Sequence, residues 1–262
     1  MIFANQTYPA LNSNTEKIVM IPLGATEQHG LHLPVGTDTS IVTSVAQSAE
    51  TKRPDDILLC PTLAFGSSHH HLSYGGTISI SPDLYSLIIK DLVTSLLQCG
   101  FKKIVLLNGH GGNITPAKQA LSLLSKDVKA AHHANVVLAT YWELGGAAFA
   151  GDTPMESPAL SHACEYETSM MLDLFPENVK MDQVKRAKRP NQNGYIGWED
   201  DVPYKGVSIF KPTAYISDNG SSGEPQLGAA AKGEHLINKA VAALVEFIDS
   251  FKEWPLLEKL QS

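Results

Sequence analysis

Short apolar stretches recur along the chain, each followed by glycine, proline or a polar residue. They are rich in Ile, Val and Leu, which is typical of buried strands, and they cover residues 17–24, 57–65, 101–108 and 135–141. Between and after them, apolar positions recur at helical spacing, and the predicted helices cover residues 38–50, 82–99, 115–124, 160–175 and 229–251. Strands that alternate with helices predict βαβ units and an α/β fold with a mainly parallel central sheet, covered on both faces.

Proline and glycine positions refine these elements. Pro61 argues against a regular central strand over the whole of residues 57–65. Ser81 and Pro82 are typical of a helix start, and Gly100 is typical of a helix end. We expect the buried face of this helix to consist of Leu84, Leu87, Ile88, Leu92, Leu96 and Leu97.

One domain is expected over residues 1–262, because no repeat or linker divides the chain. Residues 186–223 are rich in Gly, Pro, Asn and Asp and form a segment too long for an ordinary connection. This segment either covers a site or forms a contact between subunits.

Charge and composition exclude some classes of partner. The net charge is −7, from 27 acidic and 20 basic residues, which argues against nucleic acid or an anionic membrane as the main partner. No apolar run approaches the ~20 residues of a membrane-spanning helix, and no secretory signal is visible. The three cysteines contain no CxxC pair, so we expect a reduced, cytoplasmic protein without a disulfide framework.

Polar clusters follow the predicted strands, and active sites of parallel sheets lie beyond the carboxyl ends of the strands. In the first cluster, Glu27 and His29 project from the same side of an extended segment. Asp38 lies at the edge of the next helix, where a carboxylate can bridge two metal ions. The alternative is a polar turn in which Asp38 only caps the helix.

The second cluster is the glycine-rich turn at residues 108–113. A phosphate cradle is one interpretation, but the turn has neither GxGxxG spacing nor a Walker lysine. His110 is better suited to be a metal ligand, because imidazole binds zinc, iron or manganese without adding charge. We expect the backbone of Gly111 and Gly112 to contact substrate, since glycine allows close approach.

The third cluster combines His162, Glu165 and Glu167. We expect Glu167 to complete a metal site, while His162 stands nearby without a metal as general acid or base, steadied by Glu165. The alternative is that Glu167 belongs to a solvated helix surface.

A fourth cluster contains the consecutive histidines 69–71. Adjacent side chains of an extended backbone alternate between faces, so at most two of the three can point into one site. We expect a loop that contacts substrate through Ser68 and His71; the alternative is a surface turn. Cys60 and Cys99 lie in apolar surroundings and are interpreted as core residues.

These clusters together offer a mixed set of carboxylates and imidazoles. Such a set is typical of a hydrolase with one or two divalent ions (zinc, manganese or iron), where a bound water is acidified and a carbonyl is polarised. The predicted ligands are Glu27, His29, Asp38, His110 and Glu167.

The same residues resemble the creatininase family. The similarity runs in order over nearly the whole chain. The matching stretches are IPLGATEQHGLHLPVGTD (21–38), YGGTIS (74–79), NGHGGN (108–113), HACEYETSMML (162–172) and SSGEPQLGAAAKGEHL (221–236).

The resemblance implies a three-layer α/β/α sandwich that commonly assembles as a hexamer, with a divalent metal at each site. It assigns Glu27, His29, Asp38 and His110 to metal binding, with Asp38 bridging where two ions are present. It assigns proton transfer to His162.

One departure bears on the substrate. Creatininases proper carry a glutamate ligand two residues after the histidine of the glycine-rich turn and a creatinine-binding tyrosine between them, where this chain has Gly112 and Gly111. Either Glu167 takes over the missing ligation or the second ion binds more weakly. Creatinine is therefore not the expected substrate.

These features predict a metal-dependent hydrolase that cleaves the C–N bond of a small cyclic or formyl amide, with water activated by the metal as nucleophile. The substrate contacts are expected at Ser68, His71, Gly111 and Gly112, and a homo-oligomer is expected from the resemblance. One alternative is a metal-dependent hydrolase that opens a cyclic ketone at a C–C bond. Another is a protein that binds a metal or a phosphometabolite without catalysis.

Overall fold

The computed structural model describes residues 1–188 and 211–256. Its helices and strands alternate as the sequence pattern predicts. In chain order they are α1 (Tyr8–Asn12), β1 (Ile18–Leu23), α2 (Thr37–Lys52), β2 (Ile57–Leu59), α3 (Pro82–Gln98), β3 (Lys103–Asn108), α4 (Ile114–Asp127), β4 (Asn135–Thr140), α5 (Tyr141–Gly145), α6 (Glu165–Leu174), α7 (Thr213–Ile216) and α8 (Ala230–Glu253).

The strands form a four-stranded sheet in the order β2-β1-β3-β4, and all neighbouring pairs are parallel. In the central pair, Ile18 is opposite Lys103 and Leu23 is opposite Asn108, so β1 and β3 end at the same edge. The predicted parallel sheet is thus confirmed, and the loops after both strands open on one side of the molecule.

Helices cover both faces of the sheet. Met20 and Val105 belong to a core that includes apolar residues of α2, α6 and α8. Their chain neighbours Val19 and Ile104 point to the other face and belong to a core with α3 and α4. Successive strand residues alternate between faces, which is why both cores draw on the same strands. The three-layer α/β/α architecture is therefore confirmed.

The face of α3 differs from the prediction. Leu84, Leu87 and Leu92 were expected in the core, but they are 52%, 47% and 40% exposed. Tyr85 and Ile89 are instead fully buried. The helix is apolar on several sides, so spacing alone does not settle which side meets the sheet.

The ends of two predicted elements near the site differ from the prediction. The second predicted strand is short and ends at Leu59, two residues before Pro61. Helix α6 begins only at Glu165, so His162 lies in the loop before it. Part of the predicted long segment, residues 189–210, lies outside the described residues. Within the residues that the structure describes, we find no helix with the length and apolar character needed to cross a membrane.

Candidate metal centre

The predicted ligands lie together at the carboxyl edge of the sheet. Glu27 and His29 are in the loop after β1, and Asp38 is in the first turn of α2. His110 is in the loop after β3, and Glu167 is in the first turn of α6. Because β1 and β3 are parallel neighbours, the segments that follow them meet at this edge.

Asp38 lies between two imidazoles. Its Oδ1 is 3.1 Å from Nε2 of His29, and its Oδ2 is 3.0 Å from Nδ1 of His110. Glu27 Oε2 is 3.3 Å from Nε2 of His110, and Glu167 Oε1 is 3.9 Å from Nε2 of His29. Glu27 and Asp38 are only 1% and 4% exposed, so the two carboxylates are withdrawn from water.

Backbone carbonyls orient both imidazoles. Nδ1 of His29 is 3.1 Å from the carbonyl oxygen of Glu27, and Nε2 of His110 is 3.2 Å from that of Ser67. A carbonyl oxygen only accepts hydrogen bonds, so these nitrogens carry the ring proton in the neutral imidazoles. The other nitrogen of each ring faces Asp38, and Nε2 of His29 is hydrogen-bonded to Oδ1 of Asp38 at 3.1 Å. A cation bound there would replace the proton between the two groups.

The buried carboxylates have oxygens without hydrogen bonds. Among the described residues, no hydrogen-bond partner is found for either oxygen of Glu27 or for Oδ2 of Asp38. Unpaired buried carboxylates are strongly unfavourable, and a cation removes that penalty. Ligand atoms of Glu27, His29 and Asp38 all lie within 4.8 Å of one another. The residues present therefore fit a bound divalent metal.

The pKa values of the cluster also indicate a cation site. Burial raises the pKa of the Glu27 carboxyl to about 7. Burial lowers the pKa of His110, but Glu27 and Asp38 outweigh it and raise that pKa to about 9. Burial is also outweighed at Asp38, where His29 and His110 hold the pKa of the carboxyl well below its usual value. Without a cation the cluster binds protons at neutral pH, and a divalent ion would displace them.

His162 lies beside this cluster. Its Nε2 is 2.8 Å from the carbonyl oxygen of Gln28, and its Nδ1 is 3.6 Å from Oε1 of Glu27. The ring centroid is 4.1 Å from that of His71. Burial, His71 and His29 hold the pKa of His162 well below its usual value. The ring is thus neutral, with its proton on Nε2 and a lone pair at Nδ1 toward Glu27.

Gln28 is a site residue that the sequence analysis missed. Its Nε2 donates to Nδ1 of His71 at 2.7 Å and to the carbonyl oxygen of Gly220 at 3.0 Å. Its Oε1 accepts the backbone N–H of Gly30 at 2.9 Å. Gln28 thereby fixes the proton of His71 on Nε2, which is 3.4 Å from Oε1 of Glu27. Neighbouring side chains of an extended segment point to opposite sides, so Gln28 was expected to point away from Glu27. The sequence signal against an extended segment here is Gly30, where the chain turns.

The predicted substrate residues divide into two groups. His71, Gly111 and Gly112 line a cavity of about 510 Å³ that reaches the metal centre. Ser68 is fully buried instead, and its Oγ is 3.2 Å from Nε2 of His110. Ser68 therefore contacts His110 rather than the cavity, and the predicted role in binding substrate has no contact to support it.

Other walls of the cavity come from segments without a clear sequence signal. Trp142 and Leu160 supply apolar surface. Lys211 and Thr213 come from the long segment 186–223, so part of that segment lines the cavity.

Glu165 is placed away from the role expected for it. Its carboxylate accepts hydrogen bonds from the backbone N–H groups of Glu156 at 3.1 Å and Ser157 at 2.7 Å, and from Nζ of Lys232 at 2.6 Å. These bonds tie α6 to α8 and to the loop before α6. The expectation that Glu165 steadies His162 is therefore corrected, and the main-chain carbonyl of Gln28 takes that place.

A comparison with protein families decides the class. The model described as Creatininase (creatinine amidohydrolase) matches residues 4–248. The chain belongs to the creatininase family. The resemblance of the sequence motifs is thereby confirmed, and with it the prediction of a hydrolase of this family.

Curated relatives in the family carry several names. A mycofactocin precursor peptide peptidase of Mycobacterium ulcerans is 34% identical over 244 residues, which cover 90% of this chain and 86% of that protein. A 3-dehydro-scyllo-inosose hydrolase of Thermotoga maritima is 26% identical, covering 87% and 71%. A creatinine amidohydrolase of Pseudomonas putida is 26% identical over 193 residues, covering 68% and 72%.

Solved structures agree on the fold. A crystal structure of creatinine amidohydrolase superposes with a TM-score of 0.76 at 21% identity, and the match covers 97% of this chain and 98% of that one. The chain is thus a creatininase-family hydrolase with a candidate metal site.

Proposed function

We propose that the chain is a metal-dependent amidohydrolase that cleaves the C–N bond of a small cyclic or formyl amide. One observation carries the proposal: the buried carboxylates of Glu27 and Asp38 converge with His29 and His110 and keep oxygens unpaired within the described residues. That arrangement is unfavourable for a purely structural polar cluster and suited to a cation.

Asp38 would lie between two cation positions, with Glu27 and His110 on one side and His29 and Glu167 on the other. A divalent cation at such a site lowers the pKa of water and polarises a carbonyl oxygen. Carboxylates and imidazoles suit zinc, manganese or iron. Solved creatininase structures are described as Zn-Zn type and as Mn.

His162 would move the proton. Its lone pair at Nδ1 faces Glu27, and its Nε2 is held by the carbonyl oxygen of Gln28. The lowered pKa keeps the ring neutral, so Nδ1 can accept a proton from the attacking water and then deliver it to the departing nitrogen. A general acid or base of this kind contributes about 10²–10⁴-fold to the rate.

The cavity suits a small amide. Its volume of about 510 Å³ is in the range of pockets for small ligands. A Cβ atom at Gly111 would meet no atom within 4 Å, so open space remains above this backbone. Trp142 supplies an apolar wall, and His71 and Gly112 lie on the side of the metal centre.

A second candidate is hydrolysis of a peptide C–N bond. The mycobacterial relatives are named mycofactocin precursor peptide peptidases, and two of them are 29% and 34% identical to this chain.

A panel of substrates separates these functions. Metal-reconstituted protein would be incubated with cyclic amides, formamides, short peptides and cyclic diketones, beside a His162→Ala variant. Turnover of small amides that depends on His162 supports the proposal. Turnover of peptides alone favours the second candidate, and turnover of diketones alone favours cleavage of a C–C bond. Metal binding without turnover of any compound would contradict all three.

A homo-oligomer also belongs to this proposal. Leu84, Leu87 and Leu92 are on α3 and are 52%, 47% and 40% exposed, and an apolar helix face of this kind favours burial between subunits. Light scattering should give a mass that is a multiple of 28.3 kDa. A monomer at micromolar concentration would contradict this part of the proposal.

A further inference from the structure

His70 lies in the helical turn His69–His71, at the wall of the cavity. Its ring is parallel to that of His110 within 6°, with the centroids 5.9 Å apart. On the other side it contacts the ring of His71, with a centroid distance of 4.2 Å. His70 has no role predicted from the sequence, since only Ser68 and His71 were expected to face the site.

The donor atoms around His70 converge. Ligand atoms of Glu27, His70 and His110 lie within 4.8 Å of one another. Glu27 is 1% exposed, and both of its carboxylate oxygens are without a hydrogen-bond partner among the described residues. A buried, unpaired carboxylate beside two imidazoles is a set that a cation can satisfy.

Gly112 lies beside both His70 and His110. A Cβ atom at Gly112 would lie 2.1 Å from the carbonyl oxygen of Ser67 and 2.5 Å from Nε2 of His110, so this backbone cannot carry a side chain. The same Cβ would lie 3.1 Å from Cε1 of His70. The imidazole of His70 thus borders the space into which a side chain from position 112 would project.

On this side of Asp38 the proposed site offers three protein ligands, Glu27, His110 and the shared carboxylate. A catalytic zinc keeps a further position for water and can expand to five ligands, which leaves room for one more protein donor. His70 supplies a fourth donor from the protein.

We infer that His70 is a metal ligand on the Glu27 and His110 side of the centre. The inference rests on the proposed function, because it requires a metal at this centre. A second imidazole makes this position richer in nitrogen, which favours zinc or iron over manganese.

The test is a zinc titration of wild-type protein and of His70→Gln, both stripped with a chelator and dialysed, against a chromophoric chelator. His69→Gln is the matched control, because His69 is exposed and contacts Ser79 rather than the cluster. We expect His70→Gln to weaken at least one equivalent of zinc by tenfold or more, and His69→Gln to bind as wild type. Because a carboxylate also ligates zinc, His70→Glu should recover much of the affinity.

A spectroscopic readout accompanies the titration. With cobalt in place of zinc, loss of a nitrogen ligand should change the visible absorption of His70→Gln but not that of His69→Gln. Circular dichroism checks that each variant is folded, and His70→Glu provides a second variant if His70→Gln is not.

Two failures are distinguishable. If wild type binds zinc and both His70 variants match it in affinity and cobalt spectrum, the inference is wrong and the proposed metal centre stands. If wild type itself binds no zinc, both the inference and the proposed function are wrong.

Discussion

Oδ2 of Asp38 lies 3.0 Å from Nδ1 of His110, and both side chains are buried. The two atoms are close, while Nε2 of His110 is bonded to the carbonyl oxygen of Ser67. This is the arrangement expected of two donors that share a cation, each oriented by a bond on its far side.

Asp38→Asn should therefore abolish most metal binding. An amide has one fewer acceptor and no charge, and changes to the groups that merely support a ligand already reduce affinity or activity by about 10–100-fold. Elemental analysis after dialysis should show metal lost from Asp38→Asn but retained by Asp91→Asn, whose side chain is on the exposed side of α3. Equal metal content in the two variants would argue against a bridging role.

His162→Ala should keep its metal and lose about 10²–10⁴-fold in turnover number, because it removes only the proton carrier. His133→Ala, at an exposed position, is the matched control. Metal content and steady-state rates are the two measurements. Full activity in His162→Ala would show that this ring does not move the proton, and loss of metal would show that it is a ligand instead.

Gly112→Ala should destabilise the fold and weaken metal binding. The new methyl group would lie 2.1 Å from a backbone oxygen and 2.5 Å from His110, and overpacking of this kind typically reduces stability by about 1–3 kcal/mol. Gly111→Ala provides the comparison for stability, since its methyl group would meet no atom within 4 Å. Urea unfolding of both variants decides the point: equal midpoints would contradict the crowding at Gly112.

Lys232→Met should reduce stability without loss of metal. It removes a charged hydrogen bond to the buried carboxylate of Glu165, and such bonds contribute about 1.5–3 kcal/mol. Lys239→Met, on the exposed side of α8, should unfold as wild type does. A Lys232→Met protein of normal stability would contradict this structural role of the Lys232–Glu165 bond.

The fold was largely predictable because its signals are local. Apolar runs with glycine or proline at their ends gave β1 and β3 to within a few residues, and Ser81 with Pro82 gave the start of α3. The orientation of α3 was not predictable, because Leu84 and Tyr85 are both apolar and only contact with the sheet selects Tyr85 for the core.

The residue types of the candidate site could be predicted from the sequence, whereas many of their contacts could not. Parallel strands bring the segments after them to one edge, so Glu27 and His110 could be placed together from their positions after strands. The partners of Glu165, Ser68 and Gln28 depend on side-chain directions in loops, for which no periodic pattern exists. Those are the positions where the structure changed or added roles.

The central claim is that a divalent cation binds between these carboxylates and imidazoles. Anomalous diffraction from a crystal grown with manganese or zinc tests it most directly. We expect a peak bound to Asp38 together with His110, His29 or both. Protein saturated with metal that gave no peak at Asp38, or peaks only at other places, would contradict it.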